Sequence, residues 1–339
     1  MSLLSVRDLS VEFATRDGAV RAVNAVSFEL RPGQVLALLG ESGSGKSVTL
    51  RSILGLHPPV RTRVGGEVLL KGRDVNRLDE QARQALRGGV VSMVFQEPMT
   101  ALDPVYTIGR QIEETLVQHR GLDRAAARRR ARELLDLVQV PSPERCLASY
   151  PHEISGGMRQ RAMIAIALAC EPELLLADEP TTALDVTVQA QILWLLRDLQ
   201  RRLGLAVIFV THDLGVAAEI ADDAAVMYGG RIVEQAPVRE LFRAPAHPYT
   251  EGLMLATVRR GQKGRALVPI PGAPPNLVAL PPGCAFAPRC PHVKPPCLET
   301  LPPLHVVAPG HGSRCHLVPA RFASSPALAS SATGRGGLS

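Results

Sequence analysis

The segment Gly40-Glu41-Ser42-Gly43-Ser44-Gly45-Lys46-Ser47 decides the fold, because it matches the pattern GxxxxGK[ST]. It follows the apolar run 35–39 and precedes a helix predicted to start near Lys46, the order of a parallel α/β core. Its glycines let backbone N–H groups wrap phosphates, and the helix N-terminus adds positive potential. Lys46 can reach the β- and γ-phosphates, and the Ser47 hydroxyl can ligate Mg²⁺. This segment, called the phosphate loop below, predicts one nucleotide site rather than a turn without a ligand.

The sequence around the phosphate loop predicts an antiparallel β layer and a parallel core. Residues 3–13 alternate apolar and polar side chains, and residues 20–30 resume a strand-like pattern after a turn, which is typical of antiparallel strands. Further core strands are predicted at 90–95, 174–177 and 206–210.

Residues 97 to about 170 are predicted to form an inserted helical subdomain. They carry the charged, helix-favouring stretch 124–138 and show no strand-like alternation. Gly229-Gly230 lies between two apolar runs as in a hairpin turn, and proline becomes dense from about residue 268. We therefore expect a nucleotide-binding domain at 1–255 and an irregular extension at 256–320. The Ala-, Ser- and Gly-rich residues 321–339 are expected to be a disordered tail.

The composition indicates a globular protein with a packed core, since 46% of the 339 residues are hydrophobic. No run approaches the roughly 20 apolar residues that cross a bilayer, and the N-terminus lacks the features of a secretory signal. Residence in the cytoplasm is the expectation. The net charge of +6 indicates an ordinary solvated surface, although an anionic lipid surface or nucleic acid would also suit it.

The predicted strand 174–177 ends in Asp178-Glu179. Two carboxylates at a strand end are equally compatible with simple solvation. Combined with the phosphate loop, they predict that Asp178 lies beside the metal and Glu179 beside the γ-phosphate. Glu179 is then the candidate base that orients or deprotonates the attacking water.

Ile154-Ser155-Gly156-Gly157-Met158, called the signature segment below, resembles the LSGGQ signature of ABC ATPases. The resemblance covers most of residues 1–255 and extends in order to Gln96 (Q-loop), Ala183-Leu184-Asp185 (D-loop) and His212 (switch histidine). It implies a P-loop, RecA-like ABC core with an antiparallel β layer and an inserted helical subdomain. It also implies a head-to-tail dimer that holds each ATP between one phosphate loop and the partner's signature segment.

The same resemblance assigns expected roles to individual residues. Glu179, His212 and Gln96 are the expected catalytic residues, and Ser47, Gln96 and Asp178 the expected Mg²⁺ ligands. Met158 replaces the usual glutamine and cannot hydrogen-bond as glutamine would. Phe13 matches the position that stacks on adenine, whereas Phe28 reads as a core residue. The residues expected to contact nucleotide are Phe13, Gly40, Ser42, Gly43, Ser44, Gly45, Lys46, Ser47, Val48, Gln96, Ser155, Gly156, Gly157, Asp178 and Asp185.

Longer strings resemble the ATPases of oligopeptide, dipeptide and nickel importers. They are residues 96–104, 150–153 and 181–189, and the family-specific Ala246-His247-Pro248-Tyr249-Thr250 ahead of the Pro-rich extension. The resemblance implies an ATPase subunit for peptide import, with nickel or another solute as the alternative. It further implies a second homologous ATPase, two membrane permeases, an external solute-binding protein and a place at the cytoplasmic face of the bacterial membrane.

Two other functions compete with this interpretation. A soluble ABC ATPase acting on nucleic acid would be expected to carry a second ATPase domain or a long coiled-coil or basic insertion, and the sequence has neither. A regulatory subunit that binds ATP without hydrolysis is disfavoured by Glu179 and His212, although Met158 is compatible with it.

Four cysteines lie in the extension, with five, six and seventeen residues between successive positions: Cys284, Cys290, Cys297 and Cys315. This is not the CxxC spacing of a zinc ribbon, but four thiolates suffice for an iron–sulfur cluster. Resemblance to relatives that carry such a cluster makes a structural or sensing [4Fe-4S] cluster the leading expectation.

Zinc is the alternative metal, and the histidines that could help to bind it are His292, His305, His311 and His316. In a third interpretation the four cysteines are buried small hydrophobic residues. That interpretation is already the expectation for Cys146 and Cys170, which lie elsewhere in the sequence.

Overall fold

The computed structural model describes residues 2–58, 60–182, 184–256 and 268–322. Its strands are β1 Leu4–Thr15, β2 Gly18–Leu30, β3 Val35–Leu39, β4 Thr62–Leu70, β5 Arg73–Asp74, β6 Val91–Val94, β7 Leu174–Asp178, β8 Ala206–Thr211, β9 Asp223–Tyr228, β10 Arg231–Pro237, β11 His305–Ala308 and β12 His311–Ser313. Its helices are α1 Lys46–Ile53, α2 Glu80–Leu86, α3 Pro98–Ala101, α4 Ile108–Arg120, α5 Arg124–Leu137, α6 Pro143–Ala148, α7 Gly156–Leu168, α8 Val186–Leu203, α9 Leu214–Ile220, α10 Val238–Arg243, α11 Pro248–Leu255, α12 Pro295–Glu299 and α13 Val318–Arg321.

The main sheet has eight strands in the order β11-β12-β10-β9-β3-β8-β7-β6. Its five strands from β9 to β6 are parallel to one another, and the other three are attached antiparallel. Every residue of β3, β7 and β8 is buried, as expected for parallel strands covered on both faces. The predicted parallel core is confirmed.

The smaller sheet is antiparallel, with the order β2-β1-β4-β5, which confirms the predicted N-terminal β layer. Successive side chains of β3 point to opposite faces of the main sheet. Leu36 and Leu38 therefore join the core shared with the smaller sheet and α1, where Phe28 is also buried as predicted. Ala37 and Leu39 join a second core, which contains the helical part of the chain.

The segment between β6 and β7 contains five helices, α3 to α7, and the described residues there include no strand. This agrees with the predicted helical insert. Side chains at the helix starts satisfy backbone N–H groups that have no partner inside the helix. Thr107, Asp123 and Ser155 act in this way for α4, α5 and α7.

The C-terminal part departs from the expectation of an irregular segment. Gly229-Gly230 forms the predicted hairpin turn between β9 and β10. Beyond it, β12 pairs with β10, with Glu234 opposite Ser313, so the extension contributes two strands to the main sheet. Strands of three and four residues are too short to show a periodic pattern. Most of the predicted tail, residues 323–339, lies outside the described residues.

Within the described residues, no helix combines the length and the apolar character that a membrane span requires.

Candidate functional site

The phosphate loop connects β3 to α1 and takes a backbone path that requires glycine. Gly40 and Gly45 have φ values of +146° and +104°, a region that other residues rarely adopt. A Cβ atom at Gly40 would lie 2.3 Å from the carbonyl oxygen of Met227, and one at Gly45 would lie 2.4 Å from that of Ala22. Larger side chains at these two positions would force the loop away from both sheets.

Lys46, the first residue of α1, turns its ammonium group back into the loop. Its Nζ donates hydrogen bonds to the carbonyl oxygens of Gly40 at 2.8 Å and Glu41 at 2.9 Å. Burial lowers the pKa of Lys46, while the nearby carboxylates of Glu179, Asp178 and Glu41 act in the opposite direction. The loop thus holds a poorly solvated cation at the N-terminus of a helix, a combination suited to a polyphosphate.

Ser47 and Asp178 meet where α1 begins and β7 ends. The Ser47 hydroxyl donates a 2.9 Å hydrogen bond to Oδ1 of Asp178, which is 4% exposed. Burial raises the pKa of Asp178, partly offset by this hydrogen bond. A hydroxyl and a buried carboxylate are oxygen ligands of the kind that Mg²⁺ prefers, and a cation would compensate the buried charge. The two residues therefore fit the expected magnesium ion.

Glu179 is the meeting point of three other polar side chains. Its Oε2 accepts hydrogen bonds from Gln96 Nε2 at 3.2 Å and from Thr182 Oγ1 at 2.9 Å, and it lies 3.4 Å from His212 Nδ1. No described hydrogen bond reaches the other carboxylate oxygen, Oε1. Glu179 has a φ of +45°, a left-handed conformation that is costly for a glutamate. The carboxylate is therefore fixed through one oxygen while the other can accept a proton.

Gln96 and His212 are brought together with Glu179, as the catalytic expectation requires. Gln96 was also expected to bind Mg²⁺, but its described hydrogen bond goes to Glu179 and not to Ser47 or Asp178. His212 is exposed, with 63% of its side chain accessible. Both roles remain predictions.

Phe13 lies on β1, opposite Val20 of β2 and Thr62 of β4, and is half-buried. Its ring and that of His57 are nearly perpendicular, with centroids 5.7 Å apart. A ring that is partly accessible is compatible with stacking on a base. Val48 is likewise half-buried, one residue beyond the phosphate loop.

The signature segment lies at the N-terminus of α7 and packs against α8. Ser155 is exposed and caps α7 through Met158 N at 3.3 Å. A Cβ atom at Gly157 would lie 2.8 Å from Val188, and one at Gly156 would lie 3.6 Å from Leu184. Asp185 caps α8 by accepting from Val188 N, whereas Ala183 lies outside the described residues. Within the described hydrogen bonds the signature segment does not reach the phosphate loop.

The expectation of a [4Fe-4S] cluster in the extension is wrong. The part of the chain that the structure describes contains no group of three or more His, Cys, Asp or Glu residues placed to hold a metal ion. Cys297 and Cys315 are buried, and Cys284 and Cys290 pack against the larger core. Burial raises the pKa of Cys284 to about 11 and also raises those of Cys290 and Cys315. Such burial favours the thiol over the thiolate that binds metals.

The zinc alternative has no support in the same residues. His311 Nε2 lies 2.8 Å from Oε1 of the buried Glu234, and His316 Nε2 lies 3.1 Å from the carbonyl oxygen of Thr300. The four cysteines of the extension thus behave as small hydrophobic residues, as do the buried Cys146 and Cys170.

The sequence assigned no role to several residues that contact the phosphate loop or Glu179. Tyr249 Oη accepts a 2.8 Å hydrogen bond from Glu41 N, and Arg289 of the extension pairs with the Glu41 carboxylate. Thr182 holds Glu179, as described above. Residues 246–250 stood out in the sequence by resemblance alone, and nothing in the spacing of Arg289 connects it to Glu41.

Comparisons with known proteins agree with this geometry. Residues 23–182 match the family model described as ABC transporter, and residues 233–297 match that described as oligopeptide/dipeptide transporter, C-terminal region. A probable peptide ABC transporter ATP-binding protein of Sinorhizobium fredii is 53% identical over 92% of this chain and 94% of its own. The dipeptide transport ATP-binding protein DppD of Bacillus subtilis is 48% identical over 93% of this chain and 94% of its own.

Solved structures give the same assignment. A dimeric ATP-binding cassette in a post-hydrolysis state, bound to ADP and Pi, is 29% identical, with a TM-score of 0.62 over 70% of this chain and 99% of that chain. None of the relatives named here is described as an iron–sulfur protein. The predicted family resemblance is confirmed: the chain belongs to the ATP-hydrolysing, ATP-binding subunits of ABC transporters, in the group that carries the oligopeptide/dipeptide transporter C-terminal region.

Proposed function

We propose that this chain hydrolyses ATP to power the import of peptides through a membrane permease. The observation that carries the peptide assignment is the C-terminal region. It matches the oligopeptide/dipeptide transporter model. The chain that follows the match adds β12 to the main sheet of the cassette, where it pairs with β10. Relatives named for peptide and dipeptide transport, similar over nearly the whole chain, support the same substrate class.

In the proposed cycle, the phosphate loop binds ATP through its backbone N–H groups and Lys46. The Lys46 ammonium group, which donates to loop carbonyl oxygens without ATP, then donates to phosphate oxygens instead. These charged oxygens are stronger hydrogen-bond acceptors than the carbonyls. Ser47 and Asp178 would hold Mg²⁺, which would neutralise charge on the phosphates. The half-buried Phe13 offers a ring face to the base.

Glu179 then acts on the attacking water. Gln96, Thr182 and His212 all engage Oε2, which leaves Oε1 to accept a proton from a water molecule in line with the γ-phosphate. Because three side chains fix the carboxylate, little reorganisation is needed when the water arrives. In this proposal His212, exposed just after β8, contacts the γ-phosphate as well.

Dimerisation completes the proposed site. Ser155 is exposed at the N-terminus of α7, a 13-residue helix whose positive end can face an anion on another subunit. The partner is a second homologous ATPase, and the pair acts on two permeases at the cytoplasmic face of the membrane, with an external solute-binding protein. Closure of the two ATPases around ATP would switch the permeases from inward-facing to outward-facing.

The test is transport by the reassembled complex. The chain, its partner ATPase, the permeases and the binding protein would be placed in vesicles, and uptake of labelled peptides would be compared with uptake of labelled nickel. We expect ATP-dependent uptake of peptides, and its loss when Glu179→Gln replaces the wild-type chain. ATP-dependent uptake of nickel without peptides would overturn the peptide assignment.

A further inference from the structure

An ion pair between the buried Arg289 and the partly exposed Glu41 joins the extension to the phosphate loop. Arg289, in the short turn Ala287–Arg289, donates from Nη1 to Glu41 Oε2 at 2.6 Å and from Nη2 to Glu41 Oε1 at 3.0 Å. The two residues are 248 positions apart in the sequence. Arg289 is 7% exposed. Two parallel hydrogen bonds of this kind fix the orientation of the two side chains and also strengthen their charge interaction.

The rest of the guanidinium group is also held in place. Nε donates to the carbonyl oxygen of Pro271 at 2.8 Å, and Nη1 contacts the Tyr228 hydroxyl at 3.2 Å. The Tyr249 hydroxyl accepts a hydrogen bond from the backbone N–H of Glu41. Both the main chain and the side chain of Glu41 are therefore fixed by residues outside the phosphate loop.

Glu41 belongs to the phosphate loop, so its negative charge lies in the segment proposed to bind the polyphosphate. Its carbonyl oxygen accepts from Lys46 Nζ at 2.9 Å, and its carboxylate is near enough to act on the pKa of Lys46, which it raises. An unpaired carboxylate there would repel ATP and would attract the lysine ammonium away from the phosphates. Lys46 and Arg289 are buried and the Glu41 side chain is 28% exposed, so solvent screens the interactions among these charges less than it would at an open surface.

We propose that Arg289 is a positioning residue for ATP binding. Its bidentate pairing with Glu41 neutralises the negative charge of that carboxylate, so that the Lys46 ammonium group is free to bind the phosphates of the nucleotide. The charge balance of the phosphate loop then depends on a residue of the extension as well as on the cassette. The proposal concerns ATP binding by this chain and does not depend on which solute the transporter carries.

The test is equilibrium binding of MgATP to four full-length variants and the wild type. Arg289→Gln leaves the Glu41 carboxylate unpaired, so we expect the Kd to rise by about tenfold and the increase to shrink at high ionic strength. Glu41→Gln leaves the arginine charge unpaired beside the loop, and we expect tighter binding. The double variant Glu41→Gln/Arg289→Gln should return the Kd close to the wild-type value.

The matched control is Arg321→Gln, which removes an ion pair between α13 of the extension and Glu251 of α11 without touching the loop. Its Kd should equal that of the wild type. Circular dichroism and thermal unfolding establish that each variant is folded, and Glu41→Gln tests the sign of the effect even where Arg289→Gln does not fold. An unchanged Kd in Arg289→Gln, or weaker binding in both single variants without recovery in the double variant, would overturn the proposal.

Discussion

The Ser47 hydroxyl donates a 2.9 Å hydrogen bond to Oδ1 of Asp178, and this bond joins the first turn of α1 to the carboxyl end of β7. Because Asp178 is buried, the hydrogen bond only partly compensates the cost of its charge. The site is therefore built to receive a cation at the expense of the stability of the nucleotide-free protein.

Asp178→Asn should stabilise the nucleotide-free protein at neutral pH while abolishing hydrolysis. Burial raises the folded-state pKa of Asp178 above its unfolded value, so the folded state binds more protons between the two values and loses stability as pH rises through that window. The neutral asparagine avoids this loss and can still accept from Ser47. If the cost removed is about 1 kcal/mol, Tm should rise by roughly 1–2 °C for a chain of this length.

Thermal unfolding measured from pH 7 downwards tests this, because the advantage of Asp178→Asn should shrink as the pH falls. Asp17→Asn, at an exposed turn, is the control for loss of a surface carboxylate. A lower Tm for Asp178→Asn at pH 7 would contradict the expectation.

Glu179→Gln should lower kcat by about 100-fold or more, the usual contribution of a general base, while ATP binding is retained. Glutamine can still accept from Gln96 and Thr182 but cannot take a proton from water. Phosphate release and equilibrium ATP binding measure the two properties separately. Glu173→Gln, an exposed glutamate just before β7, should hydrolyse ATP at the wild-type rate. Hydrolysis by Glu179→Gln near that rate would remove Glu179 from the proposed mechanism.

Phe13→Ala should raise the Kd for ATP by about tenfold, within the range measured for the stacking of one base on an aromatic ring. The Kd for GTP should rise by a similar factor, because every base offers a face for stacking. Fluorescence titration with both nucleotides measures the effect. Phe28→Leu, which alters a buried core residue of the same sheet, should reduce stability but not affinity. Equal affinities for Phe13→Ala and the wild type would show that the base lies elsewhere.

His247 should make the protein sensitive to mild acid. Burial lowers its pKa to about 4, against about 6.5 in the unfolded chain, while the neighbouring Glu234 acts in the opposite direction. Between these values the unfolded state binds more protons, so stability falls as the pH is lowered, by about 3 kcal/mol for the full shift. His311, which is hydrogen-bonded to the same glutamate, faces this cluster too.

His247→Asn should flatten the dependence of the unfolding free energy on pH between about 6.5 and 4, because asparagine does not titrate. It should also lower stability at pH 7, since the ring packs 5.9 Å from Phe286. Urea unfolding across this pH range is the measurement, with exposed His119→Asn as the control. Parallel curves for His247→Asn and the wild type would assign the acid sensitivity to other groups.

The sequence predicted those parts of the protein that depend on local patterns. The apolar strand β3, the glycines of the phosphate loop and the paired carboxylates at the end of β7 could be found because neighbouring residues determine them. The convergence of Gln96 and His212 on Glu179 needed the family resemblance, since these residues are far apart in the chain.

What could not be predicted depends on contacts between distant segments. The residues next to Glu41 and Arg289 in the sequence give no indication that the two side chains pair. Strands β11 and β12 are too short to show the alternating pattern that predicts a strand. The cluster prediction failed for a related reason, because cysteine spacing says nothing of burial. Cys297 is buried and the pKa of Cys284 is raised, as for structural thiols.

By pairing with β10, strand β12 of the extension covers an edge of the main sheet that could otherwise pair with another chain. Without it, β10 would be the last strand of the main sheet and would present unpaired N–H and C=O groups to other chains. The terminal strand at this end of the sheet is instead β11, which has four residues. So short an edge strand exposes few backbone groups with which another chain could pair. A cassette shortened before residue 300 would therefore be expected to self-associate through β10, whatever its capacity to bind ATP.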